Sequence, residues 1–180
     1  GIMESELGVE YKVITEALTG RTTCWDLPFA PYRNGKEYLP MLLEAHSPLD
    51  LVIVMLGIND LMEEVGKSAK ESSWGMIALI REILSPVFGG RPPKILIVSP
   101  PSLGHLSSFN EAGFLGKQEE SKKLAAMQQI VAAEAKCEYL DSNAHIKVSD
   151  VDGVHPLEDQ LEILGKEIAK KVVDILKQNS

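Results

Sequence analysis

Leu51-Val52-Ile53-Val54-Met55-Leu56-Gly57-Ile58-Asn59-Asp60 is an apolar run that breaks abruptly into Gly, Asn and Asp. Unbroken apolar character with several β-branched residues suits a strand buried on both faces of a parallel sheet. The break sets Asn59 at the carboxyl end of that strand. In open α/β sheets this edge is where ligands bind, and a side-chain amide there can donate to charge developing on a carbonyl oxygen. A turn residue ahead of a helix is the plainer use of Asn59, because Gly, Asn and Asp are the usual loop punctuation.

On either side, strand-like and helix-like segments alternate. Residues 10–16, 51–56, 94–99 and 137–141 read as short strands, each ending where small or polar residues begin. Residues 35–45 carry Tyr38, Leu39, Leu42 and Leu43 at helical spacing, and 73–87 carry Trp74, Ile77, Leu84 and Val87. In 116–135, Leu124, Met127 and Val131 share a face. In 157–176 a stripe of Leu157, Leu161, Leu164, Ile168, Val172 and Ile175 should be buried in full. Strand and helix in alternation imply parallel pairing with right-handed crossovers, hence a three-layer α/β/α sandwich. Residues 1–180 read as one domain.

Far downstream, Asp152-Gly153-Val154-His155 precedes the last helical segment. Three residues of separation let the carboxylate reach the imidazole of its own loop. A His oriented by an Asp is the base half of a hydrolytic triad, able to take a proton from a hydroxyl and return it to a leaving group. The alternative is a turn at Asp152-Gly153 followed by a helix start at His155-Pro156, Pro being favoured in a first helical turn.

Taken together, the blocks resemble the SGNH or GDSL esterase family over nearly the whole chain. That family has a Gly after its second strand, Gly-x-Asn-Asp after its third and Asp-x-x-His near the C-terminus. Here the matching residues are Thr19-Gly20-Arg21-Thr22-Thr23 after Val13-Ile14, then Gly57 to Asp60, then Asp152 to His155. Glu16 to Thr23, with Asn34-Gly35 and Tyr38-Leu39-Pro40, looks most like the bacterial arylesterase-type branch, which acts on small acyl esters. The resemblance implies a flavodoxin-like SGNH hydrolase fold and a small ester substrate. It also implies Asn59 and the Gly20 N–H as oxyanion donors, His155 as general base and Asp152 as its orienter.

The family's nucleophile, the Ser of a Gly-Asp-Ser block ending the first strand, has no counterpart. Ten residues precede Tyr11, and none of Ser5, Ser47, Ser99 or Ser102 stands in such a context. Because that strand lies inside the family's sheet, its loss leaves two strands without partners for their N–H and C=O groups. The expectation is a domain that is N-terminally incomplete, lacking its first central strand and inactive as it stands. The competing expectation is a non-catalytic relative that binds an acylated ligand or a partner subunit. A flavodoxin-like binding domain is a third reading, opposed by the lack of a Gly/Ser/Thr-rich phosphate cradle.

The 180 residues are 44% hydrophobic and 24% charged with a net charge of −8, enough for one domain with a real core. That charge speaks against nucleic acid and against an anionic membrane surface. No secretory signal or spanning run is evident, so a cytoplasmic location is expected. Cys24 and Cys137 lack metal spacing, and no two of the four His stand at i and i+4, so neither metal nor other cofactor is expected. Cys137 opens an apolar strand and reads as a buried thiol. Residues 24–35, with Trp25, Pro28, Phe29, Pro31 and Tyr32, and 100–116, with Pro100, Pro101, His105, Phe109 and Phe114, read as long loops. They suit substrate-site walls, or equally surface packing or a homo-oligomer contact. His105 has no carboxylate beside it and reads as an exposed bystander, and Asp60 as a helix cap.

Overall fold

A computed structural model describes residues 1–85 and 91–177 of the chain. Three parallel strands, β1 (Leu51–Val54), β2 (Lys94–Ser99) and β3 (Glu138–Asp141), form a sheet in the order β1-β2-β3. Val54 is opposite Ile97, and Ser99 is opposite Asp141. Parallel neighbours cannot be joined by a tight turn, so helices fill the crossovers. The helices are α1 (Ile2–Leu7), α2 (Gly35–His46), α3 (Ala69–Ile83), α4 (Ser108–Phe114), α5 (Gln118–Ala135) and α6 (Glu158–Lys177), of which α3 lies in the β1–β2 crossover and α4 and α5 in the β2–β3 crossover.

The two-residue period of β2 divides the core between the faces of the sheet. Ile95 and Ile97 pack with Leu43 of α2, Met76, Leu79, Ile80 and Ile83 of α3, and Val131 of α5. Leu96 and Val98 point the other way, onto Ile146 and onto Leu164 and Ile175 of α6. The result is the expected three-layer α/β/α arrangement. Each fully buried Leu or Ile here stabilises the fold by about 1.5–3 kcal/mol relative to exposure.

Helix boundaries follow local chemistry. The Ser68 hydroxyl accepts from the Glu71 N–H while the Glu71 carboxylate accepts from the Ser68 N–H, a reciprocal cap that starts α3 four residues before the expected 73. The Asn34 side chain caps α2 in the same sense.

Several expectations are corrected. Residues 10–16 form no strand: they run without a ladder partner, and most are exposed. The strand expected at 51–56 stops at Val54; both its faces meet the core, Val52 and Val54 on one side and Leu51 and Ile53 on the other, but Leu51, Val52 and Ile53 are only half-buried and Met55 is exposed. Burial is fullest on β2, which has a strand along each edge as well as a core cluster on each face. Backbone without a ladder partner stays in water, as residues 10–16 do.

On α3 the core face is Met76, Leu79, Ile80 and Ile83, whereas Trp74 and Leu84 are exposed and Val87 lies outside the described residues. On α6 the buried stripe begins at Leu164, and Leu157 and Leu161 face solvent because the core against that helix reaches only from Leu164 onward. Residues 100–116 are not one loop but contain α4. Cys137 is half-buried, and burial pushes its thiol pKa up. Helix α1, unforeseen, packs on α6, where Gly165 has no side chain to hold Ile2 away: a Cβ there would lie 2.7 Å from an Ile2 methyl.

Candidate active site

Gly57 ends the β1 segment with φ 121°, and a Cβ there would lie 2.7 Å from Gln128 Nε2 and 2.9 Å from Ser72 Oγ. Only Gly fits both that conformation and that space. The chain can then turn at once into a 3-10 turn, Ile58–Leu61. Buried Gln128 of α5 fixes the entry by donating from Nε2 to the Leu56 carbonyl at 2.8 Å.

The turn brings Asn59 and Asp60 against the segment that carries Gly20. Asn59 Nδ2 donates to the Arg21 carbonyl at 3.0 Å. An amide nitrogen has two hydrogens, and the second has no partner among the described residues. Gly20, at φ 74°, immediately precedes Arg21, and its own N–H is likewise without a partner among the described residues. Two donors without partners among the described residues therefore lie on segments joined at the Arg21 carbonyl.

Asp60 does not cap a helix. Fully buried, it accepts from the Thr23 N–H at 2.8 Å, the Thr23 hydroxyl at 2.6 Å and the Ser72 hydroxyl at 2.7 Å. Burial raises its pKa above the ordinary carboxylate value, against the pull of the Thr23 and Ser72 hydrogen bonds. Thr23, Ser72 and Gln128 were not singled out by sequence reasoning. The signal was there in part, as a Thr pair just after Gly20, but its partners are distant in sequence.

Asp152 and His155 form the expected pair, with His155 Nδ1 2.7 Å from Asp152 Oδ2. Asp152 Oδ1 also accepts from the Val154 and His155 N–H groups, each at 2.9 Å. Burial works to raise the Asp152 pKa, but these N–H bonds and the His155 ring outweigh it and leave the carboxyl below its ordinary value. With Nδ1 engaged, Nε2 is the ring atom left for proton transfer. The ring is 72% exposed, and among the described residues no serine hydroxyl hydrogen-bonds to it.

Backbone contacts seat this loop. The Gly104 N–H donates to the Gly153 carbonyl at 2.9 Å and the Ser107 N–H to that of Asp152 at 3.2 Å. Gly153 has φ 74°, and a Cβ on it would fall 2.2 Å from the His105 carbonyl oxygen. His105 itself is exposed, as expected. Val154 and Ile58 pack on the same cluster of Leu103, Leu106 and Phe114. The Asp152 loop and the Asn59 turn are thus brought together at one end of the sheet.

Of the expected wall residues, Phe29, Tyr32 and Phe109 are exposed, whereas Phe114 is buried in that cluster and Trp25 lies under the Lys67 ammonium, 4.4 Å from its ring centre. Among the described residues no group of three or more His, Cys, Asp or Glu could hold a metal ion, and no helix is long and apolar enough to cross a membrane.

The parallel α/β/α sandwich is the fold of the SGNH class of hydrolases. The chain belongs to the GDSL-like lipase/acylhydrolase family, which it matches over residues 2–160, and is an esterase or acylhydrolase of that type. It is similar to a crystal structure of a carbohydrate acetylesterase from Sinorhizobium meliloti, with 36% identity over 97% of this chain and 84% of that one and a TM-score of 0.93. It is also similar to the native aryl esterase of M. smegmatis, with 34% identity over 97% of this chain and 84% of that one and a TM-score of 0.93. No curated protein sequence matches significantly.

Proposed function

We propose that the protein is a serine-type carboxylic ester hydrolase acting on short acyl or aryl esters, with His155 as general base, Asp152 as its orienter, and Asn59 and the Gly20 N–H as oxyanion donors. The observation that carries this reading is that the Asn59 amide, with one N–H bound to the Arg21 carbonyl and the other without a partner among the described residues, is tied to the segment on which the Gly20 N–H is also without one. The acetylesterase and aryl esterase similarities support small acyl groups.

In the mechanism, a serine Oγ bonds to the acyl carbon as its proton passes to His155 Nε2. The carbonyl π electrons move onto oxygen, where the two N–H groups hold the charge. The alcohol then leaves with the proton from His155. Water, deprotonated by the same ring, attacks the acyl-enzyme, and collapse releases the carboxylic acid and returns the proton to the serine.

The nucleophile is proposed to come from a Gly-Asp-Ser strand lying along the outer edge of β1. We further propose that the 180 residues on their own turn over no ester, because none of their described serines hydrogen-bonds to the His155 ring. That same observation favours the second reading, a non-catalytic relative that binds an acylated ligand.

Labelling by a serine-directed phosphonate separates the two. The esterase reading expects a full-length chain bearing Gly-Asp-Ser to be labelled and to hydrolyse an aryl acetate, with neither seen for the 180-residue chain. A full-length chain that does neither leaves the binding reading standing.

A further inference from the structure

We propose that Asp60 is a positioning residue for ester hydrolysis, its buried carboxylate holding the Gly20 to Thr23 segment and the Asn59 turn in one register so that both donors meet a single oxyanion. The inference rests on the assignment of Gly20 and Asn59 as those donors.

Two cross-links join the segments in parallel, Asn59 to Arg21 and Asp60 to Thr23. The first uses an N–H of the catalytic amide itself. By itself it is one neutral hydrogen bond at a half-buried site, free to hinge. The second adds a carboxylate that takes the Thr23 N–H on Oδ1 and two hydroxyls on Oδ2. Bonds to two atoms of one residue and to a helix remove the rotation that a single bond allows. Hydrogen bonds to a charged acceptor are also about twice as strong as neutral ones.

Helix α3 is cut to accept this arrangement. Gly75 stands in its interior, where Gly costs about 1 kcal/mol relative to Ala. A Cβ at Gly75 would fall 1.9 Å from Thr23 Oγ1 and 2.7 Å from Thr23 Cβ. The helix therefore forgoes a better helix former so that Thr23 can reach Asp60. Ser72, one turn earlier on α3, supplies the third donor.

The chemistry asks for this rigidity. An oxyanion donor is effective when it already points to where charge will develop, and a displacement of about 1 Å can cost about 100-fold in rate. Asp60 touches no reacting atom, so its effect should fall on the chemical step and be felt through Asn59.

The test is a double-mutant cycle of Asp60→Ala and Asn59→Ala on aryl acetate turnover by the full-length protein, below the melting temperature of each variant. Expected are a kcat loss of at least about 10-fold for Asp60→Ala with KM within about 3-fold, and a double variant well short of the product of the single losses. Multiplicative losses, or an Asp60→Ala variant with full kcat, overturn the inference. Full turnover by Asn59→Ala overturns instead the underlying assignment of the donors. Should Asp60→Ala fail to fold, Thr23→Val, which removes only the hydroxyl, is expected to lower kcat by about 3-fold or more at unchanged KM, and Thr23→Ser to restore it. Wild-type kcat in Thr23→Val then overturns the inference.

Discussion

The side-chain amide of Asn59 donates to the carbonyl of Arg21 at 3.0 Å, joining two segments that lie 38 residues apart in sequence. The bond ties the Asn59 turn to the segment that carries Gly20. A residue that reads as loop punctuation is thereby tethered to a distant segment. Shortening Asn59 to Ala removes both the tether and the donor.

His155 and Asp152 offer a graded test. His155→Ala removes the base and is expected to lower kcat on an aryl ester by about 10⁴-fold or more, and Asp152→Asn, which disfavours the tautomer with hydrogen on Nδ1, by about 10²- to 10⁴-fold. Steady-state kinetics on the full-length protein checks both. An Asp152→Asn variant with wild-type kcat removes Asp152 from the mechanism.

The two carboxylates should respond to pH in opposite senses. Asp152 has a lowered folded-state pKa, so its contribution to stability is full above the ordinary carboxylate value and is lost as pH falls through the lowered one. Asp60 has a raised pKa, so its contribution is full below the ordinary value and is lost as pH rises through the raised one. Urea unfolding from about pH 3 to about pH 7 should show the wild type losing ground to Asp152→Asn toward acid and to Asp60→Asn toward neutral pH. The same trend for both variants contradicts these directions.

Gly153→Ala is expected to destabilise by more than about 1 kcal/mol, since it joins a left-handed conformation to a 2.2 Å clash with the His105 carbonyl oxygen. Chemical denaturation measures it. An unchanged midpoint would show that the Asp152 loop is not seated on residues 104–107.

Leu96→Ala on the central strand should cost about 2–5 kcal/mol, as Leu96 is fully buried on the α6 face of the sheet. A cost below about 1 kcal/mol would indicate a core that closes around the gap.

Much of this arrangement was legible because its signals are local. The apolar run at Leu51, the Asp152 to His155 spacing and the stripes on α5 and α6 each depend on neighbours within a few residues. The strand expected at 10–16 was misread because β-branched residues announce strand propensity, while a strand also needs a partner for its backbone. The first turns of α6 were misread for a similar reason: a periodic stripe tells which way a helix faces but not how far the sheet beneath it extends. Asp60 was misread as a helix cap, since its partners Thr23 and Ser72 lie 37 and 12 residues away and only the fold brings them together.

The most direct test of the central claim is kcat on an aryl acetate for the full-length protein and its Asn59→Ala variant, measured side by side. A fall of about 10²- to 10³-fold at a nearly unchanged KM is the expected result for an oxyanion donor. A variant within about 2-fold of the wild-type kcat would contradict the assignment.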